Sequence, residues 1–198
     1  MAGEPISRAQ AGMLMIHGRG ARAEDILFLA NEFNVPGFAC LAPQAAGNTW
    51  YPNRFLVPLA DNEPWLSSAL KFVGDVLDET INAGISAERI ILLGFSQGAC
   101  LALEFATRNA QKWGGVVAFT GGLIGDRIYT ENYTGDFGGT KVFIGNSDKD
   151  PHVPLTRTEE SRRVMEERGA RVTLKIYPNM PHTMNENEIE MVNEMFFR

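Results

Sequence analysis

Six short apolar runs, spread from one end of the 198 residues to the other, constrain the fold of this chain more than any other feature. They are "MLMIHG" from Met13, "FACLAP" from Phe38, "IILLGFS" from Ile90, "GVVAFTG" from Gly115, "KVFIGNS" from Lys141 and "VTLKIYP" from Val172. Most are apolar throughout instead of alternating, the pattern of strands buried on both faces of a parallel sheet. Between them lie segments with helical spacing. In "NEPWLSSALKFVGDVLDETINAG", Leu66, Ala69, Leu70, Val73, Val76, Leu77 and Ile81 form one stripe. Asn62 is placed to cap its start, Pro64 suits the first turn and Gly84 follows the end. Further helices are predicted at about 23–34, 97–109, 155–169 and 185–197. Strand and helix thus alternate from end to end, which predicts an α/β chain with a mostly parallel sheet of about six or seven strands and helices on both faces. Ligands of such sheets sit at the carboxyl ends of the strands.

Length predicts one domain, 1–198. There is no internal repeat, low-complexity tract or linker, but two long loops interrupt the alternation, Pro43 to Pro64 and Thr120 to Gly139. Both leave strand ends and both carry aromatics, as loops that serve function often do. The 24 acidic and 18 basic residues give a net charge of −6, and no run of Lys or Arg offsets it, so nucleic acid and anionic membrane surfaces are poor partners. "MAGEPISRAQAG" lacks the apolar core of a secretory signal, and no segment approaches the ~18 apolar residues of a membrane span. A soluble, cytoplasmic protein without integral membrane contact is therefore expected. Cys40 and Cys100 make no disulfide framework and read as reduced core residues.

Gly94-Phe95-Ser96-Gln97-Gly98 is a G-x-S-x-G motif with a buried strand before it and a helical segment after it, the context in which a serine is presented on a tight, strained turn. A serine at pH 7 needs a base to be a nucleophile, and the base needs a carboxylate to fix its tautomer. Three histidines are available. His17 precedes the serine in an "HGRG" turn and reads as a brace for that loop. His182, in "YPNMPHTMNENE", lies between the last strand and the last helix, where the base belongs. His152 follows Asp150 by only two residues, which leaves that acid no separate loop from which to reach it. Of the two carboxylates after "KVFIGNS", Asp150 is held extended by Pro151, whereas Asp148 reads as a turn cap. The backbone N–H of Gln97, at a helix N-terminus, and that of Arg19, in the "HGRG" turn, are the expected oxyanion donors.

These residues together resemble the serine carboxylesterases of the α/β-hydrolase superfamily, and most closely the phospholipase/carboxylesterase branch with its acyl-protein thioesterases and small bacterial esterases. The resemblance runs from "MLMIHGRG" to "MPHTMNENEI". It implies a single α/β-hydrolase domain, trimmed at its N-terminal side and without a large cap. It implies an oxyanion site of Arg19 and Gln97, a Ser96 nucleophile in "GFSQGA", an Asp150 acid in "D-P-x-V-P" and a His182 base. Relatives often have Asp after "HGxG", where this chain has Ala21 and Arg22. Dienelactone hydrolases use cysteine at the elbow, so the serine argues against that activity.

The expectation is a carboxylesterase acting through an acyl-enzyme on a small-molecule ester, with no cofactor and no metal. Trp50, Tyr51, Phe55 and Leu56 are candidates for the substrate wall. Arg19, Arg22 and Arg54 are placed to favour an acidic substrate group. Acyl thioesterase and lysophospholipase activity use the same triad and stay open, as does self-association as a homodimer. A small-molecule receptor on a hydrolase fold and a metal hydrolase using Asp148, Asp150 and His152 are the rivals from other classes.

Overall fold

The structure is a computed structural model that describes residues 1–197. The apolar runs become strands of one seven-stranded sheet. In chain order these are β1 (Ala2–Gly3), β2 (Ala11–Ile16), β3 (Phe38–Leu41), β4 (Ile90–Phe95), β6 (Gly115–Phe119), β8 (Lys141–Ser147) and β9 (Arg171–Tyr177). Their spatial order is β1-β3-β2-β4-β6-β8-β9, and every pairing is parallel except β1 with β3. Two further strands, β5 (Asn109–Ala110) and β7 (Thr134–Gly135), form a separate parallel pair that ties the second long loop to the end of a helix.

Alternate side chains along each strand enter two cores. Leu14, Ile16, Leu92, Val116, Val142 and Ile144 face one core, filled by α2 (Trp65–Asn82), α3 (Gln97–Arg108) and α4 (Leu155–Glu167). Met13, Met15, Ile91, Leu93, Val117 and Phe143 face the other, covered by α1 (Ala23–Phe28) and α5 (Glu186–Phe196). Burial on both faces is why these strands read as continuous apolar runs. The edge strand β9 is only half-buried, and its Val172 and Leu174 pack on the first core while Lys175 faces solvent. Among the described residues, no helix is long and apolar enough to cross a membrane.

Two expectations need correction. The helix predicted over 23–34 is α only as far as Phe28 and continues as a 3-10 turn, Leu29–Glu32, where the Asn31 amide donates to the Phe28 carbonyl and competes with the helical ladder. Asn62 does not cap α2, whose N-cap is Pro64. Its side chain is fully buried and turns back into the first long loop, accepting from Asn53 N–H at 2.9 Å and donating to the Arg54 carbonyl at 3.2 Å.

The strand order reverses between β2 and β4. From β2 the chain crosses to β3 on one side, and from β4 it moves to β6, β8 and β9 on the other. Ile16 pairs with Gly94 at the carboxyl ends of β2 and β4, so the "HGRG" turn and the serine turn emerge side by side. That crevice is where an open α/β sheet binds its ligands.

Candidate active site

Ser96 joins β4 to α3 with φ 55° and ψ −118°, a backbone conformation strained for any residue with a Cβ. Its N–H donates to the Phe119 carbonyl at 3.0 Å, and its carbonyl accepts the N–H of Cys100 at 3.0 Å. The turn closes this tightly because both flanking positions are glycine. A Cβ on Gly94 would collide with the backbone of Gly98, and one on Gly98 would strike the carbonyl of Ile16 in β2. The spacing of the motif is thus a packing requirement between two strands and a helix.

The two later loops deliver their side chains to this turn. His182 Nε2 stands 2.8 Å from Ser96 Oγ, and His182 Nδ1 stands 2.7 Å from Asp150 Oδ2. The Asp150 side chain is 0% exposed and that of His182 is 19% exposed. The other carboxylate oxygen, Oδ1, accepts the N–H groups of His152 and Val153, each at 2.7 Å. Three donors therefore converge on one buried carboxylate, whose two oxygens accept from all of them. Nδ1 of His182 then carries the hydrogen, and Nε2 is left with a lone pair facing the serine hydroxyl.

The acid loop and the histidine loop are cross-tied. Asp148 Oδ1 accepts Asn179 N–H at 2.7 Å, and Lys149 Nζ donates to Asn179 Oδ1 at 2.7 Å. Asp148 is a cap, as its sequence context predicts, but it caps a loop 31 residues away instead of its own turn. Below the acid loop, buried Asn146 donates to the Val153 carbonyl and to Thr158 Oγ1. The rings of Phe95 and His152 flank His182, with centroids at 5.4 and 4.8 Å.

The histidine loop is anchored at its far end by α5, which opens on a capping box: Asn185 Oδ1 accepts Glu188 N–H and Glu188 Oε2 accepts Asn185 N–H. Glu188 is fully buried against Gly145, its Oε1 has no partner, and burial pushes its carboxyl up from 4.5 to about 7. Raised in the folded state, this group favours folding below about pH 4.5, and that contribution is lost as pH rises through about 7. At about 1.36 kcal/mol per pH unit, Glu188→Gln, which keeps the cap, is expected to stabilise the protein by about 1–3 kcal/mol at pH 8 and by much less at pH 4.5. Thermal melts across pH test this; parallel profiles for the two proteins would refute it.

On the opposite side of Ser96 the "HGRG" turn is braced from three directions. His17 is fully buried; its Nδ1–H donates to the Gly18 carbonyl, its Nε2 accepts Ala45 N–H, and its carbonyl accepts the Trp50 indole N–H at 2.9 Å. His17 is a structural brace, as its place in the sequence suggests. The Arg19 guanidinium donates to the carbonyls of Pro52 and Asn53. Gln97 opens α3, so its backbone N–H is among the donors that a helix N-terminus leaves without an intrahelical partner. Its side chain is used elsewhere, donating to the Tyr51 carbonyl and accepting Trp50 N–H.

A cleft of about 500 Å³ opens beside Ser96, and Arg19, Gln97 and His182 line it together with Tyr51, Phe55 and Cys100. Of the four residues expected to wall the substrate, Tyr51 and Phe55 lie on this cleft. Trp50 and Leu56 do not: the Trp50 indole is spent on His17, and Leu56 packs on the core behind the loop. The Cys100 thiol at the cleft floor is pushed up to about 12 by burial, so it stays protonated; Cys40 is likewise buried and free. Arg22 lies outside the cleft, exposed at the start of α1. Among the described residues, no three His, Cys, Asp or Glu side chains are grouped to hold a metal ion; Asp148 is tied to Asn179, Asp150 accepts from His182, and the His152 ring packs on that of His182.

Three residues shape the site in roles that sequence reasoning does not assign them: Asn62, expected to cap a helix, His152, whose ring packs on His182, and Arg157, which belongs to no motif. Arg157 on α4 is buried and its guanidinium donates to the carbonyls of Leu123, Gly125 and Asp126, fixing the second long loop against the site.

The family model for Phospholipase/Carboxylesterase matches residues 3–196. The chain belongs to the phospholipase/carboxylesterase family. Its fold superposes on the crystal structure of a phospholipase/carboxylesterase from Dyadobacter fermentans with a TM-score of 0.98 and 47% identity, over 100% of this chain and 94% of that one. A Bacillus cereus carboxylesterase matches with a TM-score of 0.75 and 25% identity, over 99% and 91% of the two chains. The acyl-protein thioesterase 1 of Saccharomyces cerevisiae is 30% identical over 132 residues, covering 66% of this chain and 58% of that protein. The match to its counterpart from Gibberella zeae covers 55% of that protein, so the chain spans little more than half the length of these relatives. Membership fixes the α/β-hydrolase fold and places the protein in a family of ester-cleaving hydrolases.

Proposed function

We propose that this family member is a serine carboxylesterase that cleaves carboxylic esters through an acyl-enzyme. The observation that carries the proposal is the unbroken hydrogen-bonded series from Ser96 Oγ through His182 to Asp150, with links of 2.8 and 2.7 Å. In this reading the Ser96 hydroxyl proton passes to His182 Nε2 as Oγ bonds to the ester carbon. Asp150 keeps the imidazole in the required tautomer and stabilises the imidazolium. The carbonyl oxygen takes up the displaced electron pair and is held by the backbone N–H groups of Gln97 and Arg19. Collapse of the tetrahedral species breaks the bond to the alcohol oxygen, which receives the proton from His182. Water, deprotonated by the same histidine, then releases the acid and restores Ser96. No metal or cofactor enters these steps, and the free, buried cysteines suit a cytoplasmic setting.

A second reading, cleavage of acyl thioesters, rests on the relatives named acyl-protein thioesterase 1. It uses the same residues and differs only in the leaving group. Both are tested by one panel: p-nitrophenyl esters from acetate to palmitate, acyl thioesters and a lysophospholipid, run on wild type and Ser96→Ala. We expect ester turnover that disappears in the variant, together with labelling of wild type alone by a fluorophosphonate. Background rates across the whole panel, with no labelling, would favour a binding protein on this fold and overturn the proposal.

A further inference from the structure

The wall of the cleft formed by residues 51–55 has no regular secondary structure, yet each of its five carbonyls accepts a hydrogen bond. Tyr51 O is held by Gln97 Nε2, Pro52 O and Asn53 O by the Arg19 guanidinium, Arg54 O by Asn62 Nδ2, and Phe55 O by Gly125 N–H. A loop satisfied at every carbonyl is rigid, so the side chains it presents are fixed in position. Two of those side chains bring donors to the cleft. Tyr51 is 1% exposed and lines the cleft, with its hydroxyl beside the Cys100 thiol. Arg54 also lines the cleft, is exposed, and makes no ion pair or side-chain hydrogen bond among the described residues.

The polar groups around this cleft are strongly biased. Arg19, Arg54, His152 and His182 line it, and no Asp or Glu does, in a chain whose net charge is −6. Asp150 is shielded behind His182. At the floor, burial raises the Tyr51 phenol well above 10 and the Cys100 thiol to about 12, so both remain neutral donors. The recognition surface therefore offers donors and positive charge, and its complement is an acceptor-rich, anionic group.

From this placement we infer that Arg54 is a specificity-determining residue that pairs with an anionic group on the ester, so that carboxylate-bearing esters are preferred to neutral esters of similar length. The inference rests on the ester-hydrolase reading and adds a substrate class to it. Arg19 is a weaker candidate because its guanidinium is already shared between two carbonyls, and Arg22 is excluded by its position. Arg54 at the open mouth meets the anion without burying it, which avoids the desolvation penalty that a carboxylate at the Tyr51 floor would incur. The neutral Tyr51 hydroxyl suits an uncharged acceptor oxygen deeper in the cleft.

Proton release in a pH-stat provides the test, with methyl hexanoate as the neutral ester, monomethyl adipate with the carboxylate on the acyl side, and the butyrate ester of glycolic acid with it on the alcohol side. For wild type, kcat/KM is expected to be higher for at least one anionic ester than for methyl hexanoate, and which one identifies the side that Arg54 reads. The anionic-to-neutral ratio should fall about tenfold in Arg54→Ala, fall further in Arg54→Glu and recover partly in Arg54→Lys. A ratio unchanged across the three variants, in enzymes that still turn over methyl hexanoate, overturns the role of Arg54 while leaving the esterase reading intact. Absence of turnover of every ester by wild type overturns both.

Discussion

Ser96→Ala is expected to lower kcat by about 10⁴- to 10⁶-fold on every ester the wild type cleaves, with little change in the thermal midpoint. The size follows from what remains. Without Oγ, His182 Nε2 loses its hydrogen-bonded partner at the turn, and the other hydroxyl and thiol lining the cleft, Tyr51 and Cys100, are both held protonated by burial. Cys100 lies at the cleft floor, but its thiol is held protonated up to about pH 12 and it sits one helical turn beyond the elbow. The backbone N–H groups of Gln97 and Arg19 survive the substitution, so residual polarisation of a bound ester is expected. Stability should barely move, because the positive φ at position 96 is set by Gly94, Gly98 and the close approach of β2, all of which an alanine variant retains. Retention of more than a tenth of wild-type kcat by a well-folded variant would remove Ser96 from the mechanism.

Much of this arrangement is legible in the sequence because it rests on local rules. Continuous apolar runs such as "IILL" imply strands covered on both faces, and those strands carry His17, Ser96, Asp150 and His182 to the carboxyl ends of the sheet. Gly94 and Gly98 are readable for the same reason: the contacts that exclude a Cβ lie within the strand-turn-helix unit and its immediate neighbour. What stays hidden depends on partners distant in sequence. Asn62 has the composition and position of a helix cap, and only the tertiary structure turns its amide toward Asn53 and Arg54. Trp50 and Tyr51 are adjacent aromatics on one loop, yet one braces His17 and the other faces the cleft, a division set by packing and not by residue type. Arg157 belongs to no motif, and only the tertiary structure brings three loop carbonyls to its guanidinium.

Asp150→Asn separates the electrostatic part of the triad from its geometry, and is expected to lower kcat by about 10⁴-fold in a protein of near wild-type stability. The reason lies in the second oxygen of the carboxylate. Oδ1 accepts the backbone N–H groups of His152 and Val153, so an asparagine must place its carbonyl oxygen there, because an amide nitrogen would face two donors. Its NH₂ group is then directed at His182 Nδ1, at the site where Oδ2 now accepts. Nδ1 must become the acceptor, the ring hydrogen moves to Nε2, and the imidazole presents a donor to Ser96 Oγ instead of a base. Nitrogen chemical shifts of His182 should report the change from the Nδ1–H to the Nε2–H tautomer. Asp148→Asn is the control, since its amide oxygen still accepts Asn179 N–H, and its kcat is expected to stay within about threefold of wild type. If Asp150→Asn lost no more activity than Asp148→Asn, while His182 kept its Nδ1–H tautomer, the carboxylate would be a loop clamp and the base would owe its orientation to another group.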